Sequence, residues 1–247
     1  NMPYITFQFV LDNPDIPWVW DDLSYHLDIN ISDIVENIIL PWDWNSLSIN
    51  GNLDLQNLEK YKDLPWNWNR LSRNINLPLQ FVKNNLDKNW DWRYISSNSY
   101  MVNDNIIIEN PDLPWDWDYL SRNFSITLEF IKANMDKPWN WFELSYNYNI
   151  TPKFVNDNYE KPWNWTFLSQ QNNIPSDLIP YLKTENAWRW SLLSKNPYLT
   201  TKDIEDNIDK PWDWDMLSRN NIIDSAFIVK YKNKPWCWTS LSNECKI

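Results

Sequence analysis

The sequence predicts an all-α fold, an α-solenoid of about ten tandem helical hairpins of 24 residues each. All twenty tryptophans fall into ten Trp-x-Trp pairs, spaced 24 or 25 residues apart. Residues typical of a helix start and a helix stop surround each pair, and a second capped apolar segment follows it. We therefore interpret residues 1–247 as one continuous repeat array, with pairs that begin at residues 18, 42, 66, 90, 115, 139, 163, 188, 212 and 236.

The first half of each unit predicts a short helix that begins at a proline. Pro precedes the Trp pair in eight of ten copies, and it suits the first helical position because its missing N–H needs no partner there. Asp or Asn between the tryptophans, as in Asp43 and Asn67, would place an acceptor in the first turn. Leu-Ser follows in nine copies, and Asn stands two residues after Ser in seven. Because Asn adopts the left-handed conformation readily, we expect it to end the helix in that conformation.

The second half of each unit also predicts a helix. Thr151 is a typical N-cap, and Pro152 then occupies the first helical position. Apolar residues at Ile150, Phe154 and Val155 have the spacing of one helical face. The same cap position is held in other copies by Thr6, Asp54, Thr200 and Asp224. A short polar connection to the next Trp pair completes each hairpin.

The paired tryptophans predict that each first helix packs on two sides. Residues i and i+2 of a helix lie about 200° apart, so a helix that holds both rings must bury opposite sides. Stacking between the preceding and the following hairpin provides that environment. Two β alternatives are disfavoured: one Gly is too few for the turns of Trp-rich β-hairpin repeats, and a leucine-rich repeat pattern fits only around residues 217–222.

Composition argues against most catalytic and cofactor-binding classes. The chain has one Gly, one His (His26) and two Cys (Cys237 and Cys245), so it offers no Gly-rich phosphate loop, Ser-His-Asp triad or Cys/His zinc cluster. We expect no enzyme activity, no cofactor and no metal. No apolar run approaches the about 20 residues that cross a membrane, and Asn1-Met2-Pro3-Tyr4 lacks the features of a secretory signal. These features predict a soluble, intracellular protein.

The repeat has the form P-W-[DN]-W-x-x-L-S-x-N and is clearest in Pro41-Trp42-Asp43-Trp44 with Leu47-Ser48, and in Pro211-Trp212-Asp213-Trp214 with Leu217-Ser218-Arg219-Asn220. In these residues it resembles the PWDW-type tandem repeats found in proteins of giant DNA viruses of amoebae. The resemblance covers about residues 5 to 247. It implies a viral protein of the host cytoplasm, the viral factory or the virion, and not a secreted one. It assigns no catalytic or cofactor-binding residue.

One varying position indicates a surface. It directly follows the repeat Ser, and stacking would align its side chains into a stripe. The candidate partner-binding residues of this stripe are Tyr25, Arg73, Arg122, Tyr146, Lys195 and Arg219. The alternative role for its cations is to stabilise helix C-termini through the helix dipole.

The predicted function is a non-enzymatic repeat scaffold with an extended surface for a viral or host protein partner. Nucleic-acid binding along the local basic stripe is the alternative. The chain has 22 basic and 33 acidic residues and a net charge of −11, which disfavours this alternative. Binding to a phosphate backbone depends on clustered Lys and Arg that release counterions.

Overall fold

The computed structural model describes residues 5–55, 57–170 and 189–243. Within these ranges the regular structure is helical and no residue lies in a β-strand, which confirms the predicted all-α class. The chain divides into two compact units, Asn1–Phe130 and Ile131–Ile247. Inside each unit short helices form hairpins, and successive hairpins pack on one another as in an α-solenoid. Trp188 of the eighth pair and Cys245 lie outside the described residues.

Each first helix of a hairpin begins at the second Trp of its pair. In the first unit these helices are α2 (Trp20–His26), α4 (Trp44–Ile49), α5 (Trp68–Leu71), α7 (Trp92–Ser97) and α9 (Trp117–Arg122). In the second unit they are α11 (Trp141–Leu144), α13 (Trp165–Gln170), α14 (Trp190–Leu193), α16 (Trp214–Ser218) and α18 (Trp238–Asn243).

The second helices are equally short. Those that begin in the first unit are α1 (Phe7–Asp12), α3 (Ile31–Glu36), the 3₁₀ helix η1 (Leu58–Tyr61), α6 (Leu79–Asn84), α8 (Asp104–Glu109) and α10 (Leu128–Ala133). Those of the second unit are α12 (Pro152–Asp157), α15 (Thr201–Asp206) and α17 (Ser225–Lys230).

The predicted start of the first helix at the proline is wrong. The residue between the tryptophans is the N-cap: the Asp43 carboxylate accepts the backbone N–H of Ser46 at 2.6 Å, and the Asn67 side chain accepts that of Arg70 at 3.0 Å. An N-cap residue has non-helical backbone angles, and Asp43 has φ −85° and ψ 103°. The helix therefore starts three residues after Pro41, at Trp44.

The two tryptophans of a pair consequently lie in different segments. The first lies before the helix and is buried in the described pairs, apart from the half-buried Trp18. Its indole N–H donates to a backbone carbonyl five residues earlier, as from Trp66 to Tyr61 at 2.9 Å. The second packs edge to face against the first Trp of the next hairpin, with ring centroids 5.2 Å apart for Trp44 and Trp66. The expectation of opposite sides on one helix is wrong, but the packing of hairpins against their neighbours through tryptophan is confirmed.

The repeat Ser and the repeat Asn connect consecutive hairpins. The Ser48 hydroxyl donates to the Trp44 carbonyl at 2.6 Å and accepts the backbone N–H of Asn67, in the next hairpin, at 3.0 Å. The Asn50 side-chain amide donates to the carbonyls of Ser24 and Leu27, in the preceding hairpin, at 3.0 and 2.9 Å. One hairpin is thus bonded to its neighbours on both sides.

The repeat Asn does not adopt the predicted left-handed conformation. Asn50, Asn98 and Asn123 have φ values of −64°, −75° and −70°. The Asn side chain provides the turn instead, because its oxygen accepts the backbone N–H two residues later, as from Asn52 to Asn50 at 2.8 Å.

The second helices carry the predicted caps, with one exception. The Thr151 hydroxyl accepts the backbone N–H of Phe154 at 3.3 Å, and Pro152 is the first helical residue. Thr6, Thr200 and Asp224 cap their helices in the same way. The prediction for Asp54 is wrong, because that hairpin has only a 3₁₀ helix over Leu58–Tyr61, preceded by Asn57.

Candidate interaction surface

The stripe residues lie where the first helix of each hairpin ends. In the first unit Tyr25, Arg73 and Arg122 are exposed. In the second unit Lys195 and Arg219 are exposed, whereas Tyr146 is half-buried. The structure therefore places these six residues in the last turn of a first helix or within two residues after it, and whether they bind a partner stays a prediction.

Several stripe side chains already have local contacts. The Arg73 guanidinium lies over the Tyr94 ring, 4.3 Å from its centroid. Arg219 pairs with Asp215 at 3.1 Å, one helical turn earlier. The Tyr146 hydroxyl accepts from the Asn164 amide at 2.6 Å. The cations at the ends of α9 and α16 are also well placed for the helix dipole, so the alternative role stays open.

Exposed apolar side chains accompany the stripe, and sequence reasoning missed them. They lie in the loop between the two helices of a hairpin: Ile75, Tyr100 and Phe124 in the first unit, and Tyr148 and Tyr198 in the second. Tyr100 is 83% exposed and Tyr148 is 84% exposed. The signal in the sequence is a large apolar residue one or two positions after the repeat Asn, where a polar turn is expected. We call these residues, with the stripe residues of the same unit, the loop edge of that unit.

The loop edge of the first unit contains a cleft of about 150 Å³. Its charged and aromatic lining residues are Arg73, Tyr94 and Tyr100, and Ile75 adds aliphatic surface. Ser97 and Ser99 provide hydroxyl groups beside them. No carboxylate lines this cleft.

An ion pair between a buried carboxylate and an exposed arginine lies in the same hairpin as Tyr94. The Asp91 carboxylate is almost fully buried and receives two hydrogen bonds from the Arg93 guanidinium, at 2.8 and 2.6 Å. These hydrogen bonds and the positive charge of Arg93 lower the pKa of Asp91, although burial acts in the opposite direction. Asp91 also caps α7, so the pair is part of the framework.

Among the residues that the structure describes, no group of three or more His, Cys, Asp and Glu side chains could hold a metal ion. Cys237 is a free thiol in the last Trp pair. No helix in the described ranges is long and apolar enough to cross a membrane. Comparisons with protein-family models, with curated proteins and with solved structures gave no match.

Proposed function

We propose that the protein is a non-enzymatic repeat scaffold that binds other proteins along its loop edges. This proposal rests on one observation: large apolar side chains are exposed beside cations on a framework of repeated hairpins. Large apolar groups and Arg are enriched where proteins bind one another. By its resemblance to the PWDW-type repeats, we also propose that it is a giant-virus protein that acts in the host cytoplasm, the viral factory or the virion.

The recurring and the varying positions of the repeat have different roles, and this difference supports the proposal. Ser, Asn and the residue between the tryptophans recur, and in the described hairpins they bond to backbone groups of their own or a neighbouring hairpin. Their polar atoms are therefore occupied by the fold. The loop-edge positions differ from hairpin to hairpin instead, with Ile75, Tyr100 and Phe124 in successive loops. A constant framework with a varying exposed edge suits recognition of a partner along an array.

Site-specific photo-crosslinking tests this function. A photoreactive benzoyl-phenylalanine replaces Tyr100, or in a second variant Tyr148, in the full chain. The control position is Ile39, which is 93% exposed but lies in the connection between two hairpins. We expect discrete protein adducts from an extract of infected amoebae at both tyrosine positions, suppressed by excess unlabelled wild-type chain. Equal adducts at Ile39, or adducts with nucleic acid alone, would contradict the proposal.

Nucleic-acid binding is the second candidate, favoured by the exposed Arg73 and Arg122 of the first unit. Aromatic side chains such as Tyr100 could stack on unpaired bases. The net charge of −11 opposes it.

A further inference from the structure

The cleft at the loop edge of the first unit has a defined chemistry. It is lined by the Arg73 guanidinium, the Tyr94 ring and the exposed side chains of Ile75 and Tyr100. A cavity of about 150 Å³ is large enough to hold a benzene-sized group. This space suits one large apolar side chain. We refer to it as the Arg73 cleft.

Arg73 is positioned to receive an anion. The Tyr94 ring lies against its guanidinium at 4.3 Å and holds the side chain beside the cleft. A guanidinium has five N–H donors, and two of them can bind one carboxylate side by side. Within the described residues no carboxylate pairs with Arg73.

The lining of the cleft carries one positive charge and no negative one, although the chain as a whole is acidic. Arg73 is its cation, and its other lining residues are neutral. The Asp91 carboxylate, in the same hairpin as Tyr94, lies outside this lining and is neutralised by Arg93 at 2.6 Å. This part of the surface is therefore complementary to an acidic partner.

We infer that the Arg73 cleft binds an acidic peptide segment of a partner protein. A carboxylate of the segment pairs with Arg73, and a neighbouring large apolar side chain packs between Ile75, Tyr94 and Tyr100. This inference rests on the proposed scaffold function and names the chemistry of its ligand. Phe124 and Arg122 repeat the same pairing of apolar and basic groups two hairpins further along. Two hairpins at about 8–10 Å per packed helix layer span about 16–20 Å. A peptide of five or six extended residues, at about 3.3 Å each, would reach from Arg73 to that second position.

A peptide selection tests the inference. Random heptapeptides displayed on phage are selected on the full-length wild-type chain, and the enriched peptides are synthesised with a fluorescent label. We expect enrichment of sequences that combine Asp or Glu with a large apolar residue. In anisotropy titrations, Arg73→Glu and Tyr100→Ser should each raise the Kd at least about tenfold, because each removes one anchor. Lys83→Glu is the matched control: it makes the same charge change on α6, outside the cleft lining, and should leave the Kd within about twofold.

Each other outcome overturns the inference. Failure to enrich any peptide, or enrichment of peptides without acidic residues, contradicts the acidic ligand. Binding that persists in Arg73→Glu places the ligand elsewhere, while specific crosslinks at Tyr100 and Tyr148 would still support a scaffold. A labelled dT oligonucleotide is titrated in parallel. Tighter binding of this probe than of the peptides, with loss in Arg73→Glu, assigns the cleft to nucleic acid. Circular dichroism of each variant confirms that it is folded.

Discussion

At the scale of single residues, one hydroxyl group per hairpin connects the chain to its next repeat. The repeat Ser is fully buried in most hairpins, and it both donates to its own helix and accepts from the following hairpin. Bonding to the carbonyl four residues earlier usually weakens a helix slightly. Here it orients the hydroxyl so that its lone pair meets the N–H of the next N-cap residue. The buried N–H would otherwise have no acceptor.

Substitution of this Ser should destabilise the fold. In Ser48→Ala the backbone N–H of Asn67 loses its acceptor, and the cost of a buried unsatisfied donor is about 1–3 kcal/mol. Ser46→Ala is the control, because Ser46 lies on the same helix but not at the repeat position, and it should change the free energy of unfolding by less than about 0.5 kcal/mol. Urea unfolding followed by far-UV circular dichroism measures both. Equal losses of unfolding free energy in the two variants would show that the hydrogen bond from Asn67 to Ser48 adds no stability of its own.

The Asp91–Arg93 pair should make stability depend on pH. Arg93 lowers the pKa of Asp91 in the folded protein below its value of about 3.9 in the unfolded chain. The pair therefore stabilises the fold above the unfolded pKa, and this contribution is lost as pH falls through the lower, folded pKa. Arg93→Met should be less stable than wild type at pH 7, and the difference should shrink below about pH 4. Arg70→Met, an exposed Arg of α5, should show no such trend in urea unfolding at the same pH values. A difference that grows at low pH would contradict this assignment.

At the scale of the helical elements, the order of the helices could be predicted but the start of the first one could not. Pro at the first helical position and Asp at the N-cap are both valid start signals, and Pro41 and Asp43 stand two residues apart. The deciding contact is with the preceding second helix: the first Trp is bonded to a carbonyl at the end of that helix, as Trp66 is to Tyr61 at 2.9 Å. The φ of Asn50 likewise depends on its bonds to Ser24 and Leu27 in another hairpin, which local propensity does not contain.

The tryptophan contacts between hairpins should differ in energy along the array. Trp115 is 7% exposed, bonds to the Asn110 carbonyl at 2.9 Å and lies 5.5 Å from Trp92 between centroids. Trp115→Ala should therefore cost about 3–5 kcal/mol in the free energy of unfolding. Trp238 occupies the second position of the last pair and is 52% exposed, so Trp238→Ala should cost less than about 1 kcal/mol. Urea unfolding of the two variants compares them, and similar losses would disprove this account of the interfaces.

At the scale of the whole chain, the framework was predictable from its period, and the candidate site only in part. The stripe followed from a position that varies within an otherwise constant motif, and its residues do lie at helix ends. The exposed loop residues were missed because a short apolar pattern does not show which side chain turns inward. Leu77 is buried and Ile75 exposed, although they are two residues apart in the same loop. Only packing against neighbouring hairpins determines that Leu77 is buried and Ile75 is exposed.

Charge at this scale separates the two candidate functions. The net charge of −11 repels a phosphate backbone, and the stripe cations are only four: Arg73, Arg122, Lys195 and Arg219. If all four contacted phosphates, the slope of log K against log salt would be no steeper than about −3.6, from about −0.9 per contact. We expect no binding of labelled duplex or single-stranded DNA at about 150 mM salt, physiological ionic strength. The triple variant Arg73→Glu, Arg122→Glu and Arg219→Glu is the comparison. Sub-micromolar binding by the wild type that this variant loses would replace the scaffold function by a nucleic-acid one, because it would show that the local basic residues outweigh the acidic remainder of the chain.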